Sequence, residues 1–165
     1  MDLITHWTTM EAGRDLDRLI AERAGWHPVT RSGMWAIAPP HIQDADQYIA
    51  WRRGLTASTV LVAVLLMASE DEAWNILCPH FTTSVDAALA LLPDALHTRQ
   101  WSYLQNYTDN RCQMWRATII VAAQEGIRYI GEAEGLALAI CRAWLAWQDG
   151  GEAETPPYLY EIGSL

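Results

Sequence analysis

Apolar and polar positions along the chain fall into two periods. From Thr9 to Ala24 the period is helical: Leu16, Leu19, Ile20 and Arg23 recur on one face, with charged residues opposite. Gly25 stands where a glycine closes a helix. Residues 26–40 carry Trp26, Met34, Trp35 and Ile37 ahead of the pair Pro39 and Pro40, and predict a short strand over 33–38 bracketed by loops. Asp44 to Arg53 predicts a short helix, N-capped by Asp44 and stopped at Gly54. The apolar segment 56–68 is rich in β-branched residues, as strands are, but its length favours a buried helix. Glu70 to Leu77 continues as an acidic-started helix that Pro79 ends.

The second half changes period. Thr83 to Leu92 predicts a helix capped by Thr83, with Asp86 answering three residues on. Gln100–Thr108 then alternates, with Trp101 and Tyr103 on one face. Gln113–Ala122 alternates too, placing Trp115, Ala117, Ile119 and Val121 against Met114, Arg116, Thr118 and Ile120. The stretch Thr108–Arg111 is a turn signal between them, and Ile127–Ala133 follows as a third strand. Leu136 to Gln148 predicts a helix apolar around most of its circumference, hence deeply packed, and Gly150 and Gly151 end it. The expected fold is α+β: helices packed on an antiparallel sheet of three to four strands, an α/β/α-type sandwich. It reads as a single domain over 1–165. Residues 9–40 hold the first helix and strand, 41–80 an inserted helical segment, 81–148 a helix, β-meander and helix, and 149–165 an extended tail.

Composition narrows the function. With 165 residues, the chain can bury roughly 70% of its unfolded surface without staples. A net charge of −9 argues against a DNA or RNA polymer and against an anionic membrane as partner. It leaves room for a small anion held by a few arginines. All 11 basic residues are arginine, so every one can make planar, bidentate or stacking contacts. Cys78, Cys112 and Cys141 are odd in number and lack a C-x-x-C spacing, as expected of reduced thiols in a cytoplasmic protein. The N-terminus shows no basic signal-peptide region, and the longest apolar run, 60–68, is too short to span a bilayer.

No catalytic chemistry is evident. The five histidines never fall at metal-ligand spacing, and no metal or cofactor is expected. Cys78 and His80 are separated by a proline, and Cys78 reads as a buried helix-end residue. The carboxylates at 70–72 read as helix N-terminal charge, and those at Glu132 and Glu134 as a strand end. What remains is binding. The meander interleaves Tyr103, Tyr107, Arg111, Arg116 and Arg128, and the short helix adds Tyr48, Trp51, Arg52 and Arg53. Rings stack on a base, and guanidinium groups hold phosphates bidentately. Against this, one face of each strand must pack on helices, so about half of the aromatics belong to the core.

The stretch from Phe81 through Thr-Thr-Ser-Val-Asp-Ala-Ala to Pro93 resembles the capped helix of the phage ABA-sandwich domain family. Trp101 resembles that family's strand tryptophan. Gly131-Glu132-Ala133 and the alanine-rich run from Leu136 resemble its closing turn and helix, and residues 16–26 its opening helix. The resemblance covers about 14–40 and 81–148, and 41–80 departs from it as an insertion. It implies a phage or prophage product with an α/β sandwich fold and makes Trp101 a fold residue. It carries no activity onto particular residues.

The resulting expectation is a non-enzymatic phage protein in the host bacterial cytoplasm. Its partner would be a small nucleotide-like ligand, and it would act as a homo-oligomeric anti-defence sponge for a cyclic oligonucleotide or cyclic ADP-ribose signal. The alternative is an antagonist of a host protein or an accessory phage structural protein. A nucleotide-signal hydrolase is a third reading.

Overall fold

The computed structural model describes residues 7–54, 66–92, 100–121 and 127–150, with backbone only at 100–103 and 121. The fold is α+β. The chain forms two compact units, one from residues 1–16 and 80–165, the other from 17–79. Helix α1 (Arg14–Arg23) runs across the division in sequence and buries Leu16, Ile20 and Ala21. It starts at Arg14, later than periodicity suggests, and a single 3₁₀ turn at Trp7–Thr9 precedes it. Gly25 follows α1 at φ 86°, the left-handed conformation expected of a closing glycine.

In the 17–79 unit, strands β1 (His27–Arg31) and β2 (Met34–Ala38) form an antiparallel hairpin. β2 agrees with the sequence reading; β1, read as loop, is a strand. Pro28 and three polar residues hide its pattern, and Val29 is its one buried residue. Ser32 and Gly33, between the strands, both adopt positive φ, as a two-residue hairpin turn requires. Helix α2 (Ala45–Gly54) is capped as predicted, with the Gln47 amide donating to Asp44 Oδ1 at 2.8 Å. Helix α3 (Glu70–Leu77) is capped by Ser69. The core joins Val29, Ala36, Ala38, Ile42, Ala45 and Tyr48, with Trp51, Leu66 and Leu77 packed against it. The helix-or-strand question for 56–68 falls mostly outside the described residues. At its end, Met67 exchanges two backbone hydrogen bonds with Trp35, so that end is extended.

The other unit centres on a meander of β3 (Gln100–Asp109), β4 (Cys112–Val121) and β5 (Ile127–Ala133), in that spatial order. A tight turn at Asn110 and Arg111, both at positive φ, links β3 to β4. Helix α4 (Val85–Leu89) is shorter than predicted. Its cap is Ser84 rather than Thr83, with Ser84 Oγ accepting from the Ala87 amide. Helix α5 (Leu136–Asp149) packs on β4 and β5, and Gly150 closes it at φ 61°.

Register divides the sheet cleanly. Ala117 faces Gly131, and Ile119 faces Tyr129; both pairs are buried on the α5 side. Gly131 permits this packing. A Cβ built there would overlap the carbonyl oxygen of Ala139 and the amide nitrogen of Ala143, so the helix backbone rests directly on the strand. On the opposite face stand Arg116 with Glu132, Thr118 with Ile130, and Ile120 with Arg128.

Two substitutions test this packing. Gly131→Ala is expected to destabilise by about 3 kcal/mol or more, because backbone atoms cannot yield as side chains do; the urea midpoint reads it. Thr118 is fully buried and its hydroxyl makes no hydrogen bond. Thr118→Val keeps the shape and strand preference while removing that hydroxyl. It should raise stability by about 1 kcal/mol in the same assay.

Candidate functional site

The nine candidate residues separate by unit. Tyr48, Trp51, Arg52 and Arg53 all lie on α2 in the 17–79 unit. Tyr48 is 3% exposed and belongs to the core cluster. Burial raises its phenol pKa above the ordinary value, while the Arg52 charge pulls the other way. Its ring meets Trp51 at 5.8 Å, and Trp51 in turn meets His41 edge-on at 6.0 Å. The Arg52 guanidinium lies 5.9 Å from the Trp51 ring, and Arg53 is exposed. The aromatic half of this cluster therefore fills a core, and its arginines project from the last turn, where they suit the helix dipole.

The meander residues lie in the other unit. Arg111 is exposed at the hairpin turn. Tyr103 pairs with Thr118 in register, and its side chain lies outside the described ones. Arg116 and Arg128 share the sheet face away from α5, two register tiers apart.

Around Arg116 the structure assembles a cluster that the sequence reading only partly anticipated. Arg116 Nε donates to Glu132 Oε1 at 2.6 Å across the β4–β5 pair. Its guanidinium lies 5.3 Å from the centre of the Tyr107 ring. Partial desolvation and then the neighbouring Glu132 carboxylate hold the Tyr107 phenol pKa above its ordinary value. Arg142, from α5, reaches the outer edge of β5. It donates from Nη1 to the Glu132 carbonyl at 2.7 Å and from Nη2 to the Met10 carbonyl at 3.2 Å. Trp7 is buried nearby, its indole N–H donating to Asp149 Oδ2 at 2.6 Å.

An open groove of about 310 Å³ runs through this cluster, lined by Trp7, Thr8, Arg116, Ile130, Glu132 and Arg142 among others. Its lining carries two guanidinium groups and one carboxylate. Neither bond from Arg142 uses a carboxylate, so its charge is only partly offset by carbonyl dipoles. In a chain of net charge −9 this is a local positive spot. Sequence reasoning named Arg116 and missed Arg142 and Trp7. A signal for Arg142 existed: it is the one charged residue of α5 before Asp149.

Among the described residues, no group of three or more His, Cys, Asp or Glu side chains is placed to hold a metal ion. No described helix is long and apolar enough to cross a membrane. Cys78 and Cys141 are buried thiols, and Cys141 Sγ donates to the Phe81 carbonyl at 3.3 Å. In comparisons with known proteins, the chain matches no family model, no curated protein and no solved structure.

The core placement of Tyr48 has a direct test. Tyr48→Ala should cost about 3 kcal/mol or more of stability in urea unfolding, whereas Tyr48→Phe should keep most of it.

Proposed function

We propose that this chain is a phage-encoded, non-enzymatic binding protein that takes up a small, nucleotide-like anion in the host cytoplasm. One observation carries the reading: Arg116 and Arg142 meet in one open groove with a single carboxylate between them. A phosphate would compete with Glu132 for the Arg116 fork and gain the partly offset charge of Arg142. The Tyr107 ring, already against a guanidinium, supplies a stacking surface beside it. Such binding without turnover is the chemistry of a sponge for a cyclic oligonucleotide or cyclic ADP-ribose signal. The resemblance to phage ABA-sandwich proteins supports a phage origin. Self-association would add copies of the groove to one particle.

The test is a thermal-shift and calorimetry panel of cyclic dinucleotides, cyclic trinucleotides and cyclic ADP-ribose. A ligand present at a hundred times its Kd should add about 2.7 kcal/mol. That corresponds to a Tm rise of roughly 5–10 °C for a chain of this size. Arg116→Gln should weaken binding at least about tenfold, the loss of one charged hydrogen-bond pair. Glu132→Gln should tighten it, because the competing carboxylate is gone. No shift with any of these ligands refutes the reading. Indifference of affinity to both substitutions places any binding elsewhere.

A further inference from the structure

A second groove in the same unit has the opposite character. It measures about 690 Å³ and lies where the first turn of α5 meets the approach to α4 and the start of β4. Its apolar lining includes Val85, Met114, Leu136 and Leu138. Val85 is 38% exposed, and Leu89, one turn further along α4, is 40% exposed. On a helix these two residues share a face, so an apolar strip continues along α4 beside the groove. Isolated exposed apolar side chains are common, but here they extend an apolar groove floor, and contiguity is what marks a contact surface.

Charge defines what would cover the strip. Glu11 and Glu134 both line the groove, and both are exposed. Neither carboxylate has a hydrogen bond or ion pair with another described residue. Asp86, beside Val85 on α4, is exposed in the same way and its carboxylate is likewise unengaged. Arg142 reaches the groove too, but its two hydrogen bonds go to the Met10 and Glu132 carbonyls. An apolar floor with an acidic rim repels anions and fits a segment that combines apolar anchors with flanking Lys or Arg. The chain itself has no lysine, and its charge of −9 extends the same preference over its surface.

We infer that this groove docks a basic amphipathic segment of a partner protein, its apolar side chains against Val85, Leu136 and Leu138 and its cations against Glu11 and Glu134. The surface shares only Arg142 with the arginine groove, and its test substitutions leave that residue in place, so the two readings can fail independently. Binding of this kind follows the helix-in-groove mode, in which a few apolar anchors set affinity and rim charges set orientation.

Fluorescence anisotropy with a labelled Leu/Lys amphipathic peptide tests it, at near-physiological salt, with a Leu/Glu peptide of the same pattern as control. The Leu/Lys peptide is expected to bind saturably with one site per chain, and the Leu/Glu peptide not at all. Val85→Ser should weaken binding roughly tenfold, as loss of an apolar anchor does. Glu134→Gln should weaken it several-fold, whereas Asp109→Asn, which removes the same charge at the hairpin turn, should leave it unchanged. All three positions are exposed, so the variants keep the fold. Equal losses from Glu134→Gln and Asp109→Asn would reduce the effect to bulk charge and overturn the inference. So would no loss from Val85→Ser, or saturable binding of both peptides.

Discussion

The contact between Gly131 and the backbone of α5 sets the geometry of the meander unit. Most helix-on-sheet packing is mediated by side chains that hold the two layers apart. Here the strand offers no side chain at Gly131, and the helix offers Ala139 and Ala143. Ala117 and Ala133 keep the surrounding surface low, and both are buried. The layers therefore approach to backbone contact, where dispersion is dense and tolerance for added volume is small. Arg142 directly precedes Ala143. Its reach to the β5 carbonyl at Glu132 depends on the helix lying this close. A thicker interface would carry the guanidinium away from the edge it now caps, and the arginine groove would not form.

The two grooves of this unit share Arg142 yet differ in sign. One gathers two guanidinium groups around one carboxylate; the other has two carboxylates, neither bonded to another described residue, beside an apolar floor. A strongly acidic chain would present a uniform negative field if its charges were spread evenly. Concentrating arginine at the β5 edge creates a local exception. Salt affects them unequally: exposed carboxylates are screened within about 10 Å at 0.1 M ionic strength, while half-buried groups are screened less.

Local signals were legible in the sequence wherever one residue decides one structural step. Asp44 caps α2, Gly150 closes α5, and the alternation of β4 places Ala117 and Ile119 on the packed side and Arg116 on the other. The reading failed where the signal was shared or masked. β1 was missed because Pro28 and its polar neighbours conceal a strand whose order comes from pairing with β2. Thr83 and Ser84 both can cap, and backbone path selects Ser84. The site was half legible. Arg116 and the neighbouring aromatics follow from strand alternation. Trp7 and Arg142 are brought to them by tertiary packing, and no spacing rule encodes that. Tyr48 and Trp51 looked equally suited to stacking, and the difference is burial, which composition cannot supply.

The indole of Trp7 hydrogen-bonds to Asp149, a residue 142 positions away in sequence. Arg142 likewise ties to Met10 across 132 positions. On a ribosome the chain emerges N-terminus first, so Trp7 and Met10 wait for almost the entire described chain before their partners exist. The meander and α5 make mostly local contacts and can order among themselves. The arginine groove therefore waits for synthesis of α5, and a chain truncated within that helix would never present it.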